Sequence, residues 1–409
     1  MTSFTAAVAL FACGGHLAAN PQDDASTKDV SADGTVLDAA KPIAAPWPMV
    51  AHDARRTSRS SVKGPRVAHI RWRYPMTNSG SSPAVAADGT IFVTNQSSPG
   101  TLLAIHSDGT LAWSLPGVGP YASPMIGADG TIYLDGSSSY DPNQLKWPGD
   151  ILVAVDPVTH QRKWAYADYA GVDYSDNALT PGQDGIVFGV RSGIYGIHPD
   201  GSLAFHLGRN RQGPDNGDTA TPRLAVSGGL VIGGIGNDKN EAGTFALTAD
   251  GAAAWTLDGS REGLVATDGT FFGITRGGLD AISPTGVLLW HLTLAPRSPP
   301  IEGPTGTIYM RTETEIVSID PKSSATQTVV GALPVKQQGL YPLVIDSEGV
   351  IYYVDKTRVT AIGAKGNPIF YVDLSDGDGG TDYVDTTSLA LSEGVLYVAA
   401  YQHLIAIGL

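Results

Sequence analysis

The sequence predicts an all-β fold, an eight-bladed β-propeller of four-stranded blades whose last blade is closed by a strand from near the N-terminus. Three observations carry this reading. A two-part strand-turn-strand unit recurs along the chain, helix-length amphipathic segments are missing, and one strand of the repeat stands more than three hundred residues from the place where the pattern needs it. A repeat of about 40 to 50 residues holding four strands marks one propeller blade.

The first half of the unit is a short apolar stretch, an Asp-Gly turn and a second apolar stretch, as in Ser82-Pro83-Ala84-Val85-Ala86-Ala87-Asp88-Gly89-Thr90-Ile91-Phe92-Val93. It returns at Asp129-Gly130, Gly228-Gly229 and Asp268-Gly269, and in weaker copies at Gly185, Gly306, Gly349 and Gly394. These turn glycines lie 37 to 55 residues apart. The second half is strand, turn and strand ending on an aromatic: Leu103-Ala104-Ile105, Asp108-Gly109, Trp113. Further copies end at Trp164, Phe205, Trp255, Trp290 and Phe370, and a degenerate one follows Val317-Ser318-Ile319-Asp320. Asp-Gly suits a tight hairpin because both residues tolerate positive φ. Alternation such as Thr131-Ile132-Tyr133-Leu134 supplies the two faces of a strand.

The last unit stops after Leu404-Ile405-Ala406-Ile407 and lacks an outer strand with its Trp, whereas His69-Ile70-Arg71-Trp72-Arg73-Tyr74 has that character and precedes the first complete unit. Pairing the two closes the ring and removes its largest exposed sheet edge.

The chain has 409 residues, with 50 Gly, 27 Pro and only 16% charged residues, a composition suited to many short strands and tight turns. Its net charge of −14 argues against a polyanionic nucleic acid as partner. The one dense basic run, Arg55-Arg56-Thr57-Ser58-Arg59, is expected to be solvated or salt-bridged.

The single cysteine, Cys13, ends the apolar run Leu10-Phe11-Ala12-Cys13-Gly14, which resembles the lipobox of bacterial lipoproteins. The resemblance implies lipidation of Cys13 after a signal peptide over residues 1–12. No Lys or Arg precedes Cys13, so this signal is expected to be truncated. Residues 13–45 read as a flexible acidic tether, 46–65 as a lead-in segment and 66–409 as the propeller. No later segment holds the ~18 apolar residues of a membrane span, so contact with the membrane is expected only through the lipid.

The lead-in Trp47-Pro48-Met49-Val50-Ala51-His52-Asp53-Ala54-Arg55-Arg56-Thr57, together with the Asp-Gly-Thr-Ile-Tyr and Ala-Ile-x-x-Asp-Gly-x-x-x-Trp units, resembles quinoprotein-like (PQQ-like) repeat propellers. The build is similar to that of the BamB-like envelope lipoproteins. The resemblance implies eight four-stranded blades, each locked to its neighbour by an outer-strand aromatic, here Trp113, Trp164, Trp255 and Trp290, with Phe205 and Phe370 as substitutes. In the quinone-dependent dehydrogenases of that family, the quinone sits on a vicinal Cys-Cys disulfide beside a Trp and a Ca²⁺. No Cys follows residue 13, so that reading is disfavoured and no resident cofactor is expected.

The hairpins between strands one and two, and between three and four, fall on one face of a blade, while the strand two to three and blade-to-blade connections fall on the other. All the long connections, 136–150, 166–177, 208–219, 234–243 and 373–385, belong to the second face, which is therefore the candidate binding surface. Tyr140, Trp147, Tyr166, Tyr169 and Tyr174 are its candidate partner-binding residues, because Tyr and Trp anchor protein and glycan surfaces. Ordinary loop packing is the plainer reading of the same residues. Asp376, Asp378 and Asp382, set among glycines, are candidate oxygen ligands for Ca²⁺. The loop lacks the terminal Glu and regular spacing of an EF-hand, and a solvated acidic turn is the plainer reading.

No His is followed by Glu and no Gly-Lys pair exists, so neither a zinc-protease helix nor a P-loop is present, and no catalytic residue is assigned. The expected function is that of a non-catalytic binding or scaffold lipoprotein, a monomeric propeller at the cell envelope whose partner is another envelope protein. A carbohydrate or adhesion module is the alternative, with a quinone-dependent dehydrogenase behind it.

Overall fold

The computed structural model describes residues 45–77, 81–96, 100–119, 122–135, 150–167, 179–182, 185–190, 193–208, 223–235, 243–259, 261–275, 277–331, 333, 342–355, 357–374 and 389–409. The chain divides into two units, 1–38 and 39–409, and all described residues belong to the second.

That unit is an all-β propeller built from four-stranded antiparallel sheets. Blade one comprises Ala84–Val85, Ile91–Asn95, Gly100–Ile105 and Leu111–Val118, paired in that order. Six further sheets with the same consecutive order follow, beginning at Met125, Thr180, Ala225, Glu262, Ile301 and Leu343. The eighth sheet is different: Leu389–Ser392, Val395–Ala399 and His403–Gly408 take their fourth strand from Ile70–Pro75. The closing register sets Trp72 opposite Ala406, Arg73 opposite Ile405 and Tyr74 opposite Leu404.

The hairpins behave as their sequence requires. Gly89 and Gly109 adopt φ of 85° and 91°, which a residue bearing Cβ enters only with strain. At Gly109 there is a second constraint, since an added Cβ would lie 2.7 Å from the Trp72 ring of the neighbouring blade. Trp72 donates its Nε1–H to the Ser107 carbonyl at 2.9 Å. The same lock recurs where Trp164 donates to the Pro199 carbonyl, Trp255 to Pro284 and Trp290 to Pro321, at 2.9 to 3.0 Å. Phe205 lies against Gly251 without that bond, and Trp113 instead stacks on His160 with ring centroids 4.6 Å apart. Six outer-strand rings, Trp72, Trp113, Trp164, Phe205, Trp255 and Trp290, therefore pack on the hairpin of the next blade, and in four of them the indole N–H, otherwise a desolvated donor, finds a turn carbonyl, whereas Phe370 stands against Tyr352 of its own blade.

The innermost strands are short, and their free edges face the axis. The lead-in segment covers them. Trp47 and Val85 exchange two backbone hydrogen bonds, Pro48 accepts from Ile126, Ala54 from Val226, Arg55 from Val265, Thr57 from Glu302, Ser58 from Ile345, Val62 from Ser347 and Lys63 from Gly394. Residues 47–63 thus visit blades one, two, four, five, six, seven and eight in order, satisfying inner-strand N–H groups that would otherwise be unpaired away from water. To keep turning inward, the segment places Ala51, His52, Arg56 and Ser58 at φ of 51° to 74°, a region that residues other than glycine enter uncommonly. Trp47 and Met49 are almost fully buried, and so are Arg56, Thr57, Ser58 and Ser60. The expectation of a solvated or salt-bridged basic run holds for Arg55 and Arg59, which lie 3.8 and 3.6 Å from Glu302, but Arg56 turns into the interior.

The far end of the lead-in is pinned by Asp346 of blade seven, a fully buried carboxylate. It accepts hydrogen bonds from the backbone N–H of Gly64, Glu348 and Val350 at 2.9 to 3.0 Å and lies 2.7 Å from Arg66 Nη1. The Tyr352 hydroxyl sits 3.0 Å from the Pro65 carbonyl and 3.2 Å from Asp346. Burial, reinforced by the Asp346 charge, raises the Tyr352 pKa, so it remains a neutral donor.

Candidate functional site

A pocket opens where the lead-in passes the beginnings of the innermost strands. Its lining includes the lead-in residues Trp47, Ala51, Arg56 and Ser58. The rest of the lining comes from residues at or just before innermost strands, among them Ser82 of blade one, Arg223 of blade four, Glu262 of blade five and Leu389 of blade eight. Innermost strands start on the side that receives the blade-to-blade connections, so this pocket is the mouth of the central channel on the long-connection face. Its cavity volume is ≈ 40 Å³.

Local structure holds the Arg56 turn in place. Asp53 accepts from the Thr57 N–H at 3.0 Å and the Thr57 hydroxyl at 2.6 Å, while the Arg56 N–H donates to the Asp53 carbonyl at 2.9 Å. Burial of Asp53 acts to raise its pKa, but hydrogen bonding and charge from His52, together with the two Thr57 bonds, outweigh it and hold the carboxyl below its ordinary value.

Arg56 itself is 7% exposed. Burial holds its pKa down to about 10, and the nearby Arg223 charge pushes in the same direction, while Glu262 and Asp53 oppose. It is still a cation at neutral pH. Among the described residues, Arg56 Nη1 has no hydrogen-bond partner, and neither has the indole Nε1 of Trp47, which is 1% exposed. The site therefore gathers two cationic guanidiniums and an indole N–H against the Glu262 carboxylate in its lining and the Asp53 carboxylate near Arg56, a set richer in donors than in acceptors.

Of the residues proposed from sequence, only Tyr166 is described. It was expected in a long connection; it lies instead in the strand Arg162–Ala167, half-buried, on the same side as Trp164. Its ring stands edge-on to Tyr195 of blade three at 6.1 Å, so it contributes to blade packing. The reason is the strand period of two, which carries the inward face of Trp164 on to residue 166. Tyr140, Trp147, Tyr169, Tyr174, Cys13, Asp376, Asp378 and Asp382 lie outside the described residues. Among the described residues, no group of three His, Cys, Asp or Glu side chains could hold a metal, and no helix is long and apolar enough to cross a membrane.

Sequence reasoning missed Trp47, Arg56 and Arg223 as a site. The available signal was a dense basic run inside a strongly acidic chain, but which arginine of Arg55, Arg56 and Arg59 turns inward depends on left-handed backbone that the sequence does not mark.

The family model described as outer membrane protein assembly factor BamB matches residues 61–231, which run from the lead-in through blades one to three and into blade four. No curated protein matches the sequence. Among solved structures, the chain is similar to a protein of unknown function from Bacteroides caccae, with TM-score 0.36, 12% identity and coverage of 63% of this chain and 96% of that one. It is also similar to AztD from Citrobacter koseri, with TM-score 0.49, 16% identity and coverage of 75% and 87%, and to the apo form of that protein, with TM-score 0.47 at the same identity and coverage.

Proposed function

We propose that this PQQ-like propeller is a non-catalytic binding or scaffold lipoprotein of the bacterial cell envelope, anchored through Cys13 and presenting its long-connection face to another envelope protein. The observation that supports it best is the lead-in segment, whose backbone is hydrogen-bonded to seven blades in turn. A channel filled by the protein's own chain gives a stiff disc, and a stiff disc with short turns on one side and long connections on the other suits a docking platform. The protein acts as a monomer, with no resident cofactor and no nucleic acid partner.

Site-specific photo-crosslinking in membranes of the source organism tests this. Probes replacing Trp147 or Tyr169, in the connections within and after blade two, are expected to capture an envelope protein, while a probe at Asp108, in a hairpin of the opposite face, captures none. Capture from Asp108 alone would reverse the assignment of faces. Glycan-array binding abolished by changing Trp147 or Tyr169, with no protein captured, would transfer the reading to a carbohydrate module. Labelling by palmitate that survives Cys13→Ser would remove the anchor from the proposal.

A further inference from the structure

The polar groups at the channel mouth are mismatched in a way that specifies a ligand. Two buried side chains there have donor atoms with no hydrogen-bond partner among the described residues, Arg56 Nη1 and Trp47 Nε1. A buried donor left unpaired keeps the full cost of its desolvation, and a charged one more so. Arg223 adds a second guanidinium, near enough that its charge acts on Arg56. Like charges in one pocket are tolerated where something negative relieves them. Glu262 lies in the lining, yet it forms no ion pair with either arginine within 4 Å among the described residues. Four non-glycine residues of the lead-in occupy left-handed backbone around this point, so the fold accepts strain to aim the Arg56 side chain inward. A cavity of ≈ 40 Å³ has room for about three water-sized groups, which suits a single oxyanion group reaching both arginines.

We propose that the channel mouth binds one small oxyanion, a carboxylate or phosphate group, between Arg56 and Arg223, with the indole N–H of Trp47 as a further donor. The site is separate from any docking on the long connections and does not require a protein partner. It also explains why a chain of net charge −14 turns an arginine into its own channel. The oxyanion has two sources with the same chemistry, a free anion in solution or the terminal carboxylate of an inserted peptide.

The test uses the purified full chain and calorimetric titration at fixed ionic strength. Inorganic phosphate and acetate are each titrated against a constant chloride background, alongside a short peptide with a free C-terminal carboxylate and the same peptide as its amide. The expected result is saturable binding with one site per chain. Arg223→Gln, a change at a half-buried lining position, is expected to weaken it at least tenfold, and Glu262→Gln to strengthen it. Arg56→Gln is expected to abolish it, with thermal unfolding reporting whether that variant still folds. Binding of the free anions with no preference for the carboxylate peptide over its amide assigns the solution source. Preference for the carboxylate peptide assigns the chain end. The proposal is overturned if none of the three carriers binds saturably to the wild-type protein, or if Arg223→Gln binds them as tightly as wild type does, because water would then be all that the donors hold.

Discussion

Asp346→Ala removes the carboxylate that fastens the lead-in segment to blade seven, and the structure lets its effect be worked out. Asp346 is 0% exposed and serves three backbone N–H groups, the Tyr352 hydroxyl and the Arg66 guanidinium. Arg66 keeps an alternative, since its other nitrogen lies 2.9 Å from Glu348 and its side chain is 34% exposed, so its loss is discounted. The buried turn donors have no such escape. Breaking a buried, hydrogen-bonded charge from one side costs about 3–5 kcal/mol, a large part of the ~5–15 kcal/mol that separates a folded domain from its unfolded chain. Urea unfolding followed by tryptophan fluorescence measures the loss, and hydrogen exchange at Gly64 reports whether the end of the lead-in opens first. Lys63→Ala is the control, because Lys63 pairs with Glu348 while 59% exposed, and no measurable change is expected there. A loss below about 1 kcal/mol for Asp346→Ala, or equal effects at Lys63 and Asp346, would refute the reasoning that this carboxylate pins the segment.

Trp72→Ala is expected to destabilise the ring closure by about 2–3 kcal/mol in the same assay, less than a fully buried tryptophan because the side chain is only half-buried, and a change near zero would count against closure through that ring. Asp53 has a folded pKa below its ordinary 3.8, so the stability it provides is complete above that value and disappears as the pH falls through the lower folded one. An acid titration of wild-type stability should therefore fall more steeply below pH 3.8 than that of Asp53→Asn, and parallel curves would exclude Asp53 as the group responsible. Replacing Asp376 and Asp378 together by alanine is expected to leave the melting temperature unchanged with and without Ca²⁺, whereas a Ca²⁺-dependent rise present only in the wild type would establish a metal site in that loop.

The repeat was legible because each unit carries its own local instructions. Asp-Gly pairs demand hairpins, alternating apolar residues demand strands with two faces, and an aromatic at a fixed place in the unit meets the next hairpin, as Trp164, Trp255 and Trp290 do. Even the closure could be read, because a strand missing at one end and a surplus strand at the other are complementary, and Ile70–Pro75 pairs with His403–Gly408. Tyr166 was misplaced because an aromatic before a long connection looks the same whether it ends a strand or begins a loop.

The sequence alone therefore determined the all-β repeat, the four-stranded unit and the strand that fastens the ring, since all of these follow from contacts between residues close in the pattern. Only the tertiary structure decided the course of residues 47–63 and the meaning of their arginines. That segment makes its hydrogen bonds to blades scattered over the whole chain, from Val85 to Gly394, so no local period records it. Which side chain turns inward is then fixed by left-handed backbone at Arg56 and by the unpaired strand edges around the axis, and these exist together only once the ring has formed.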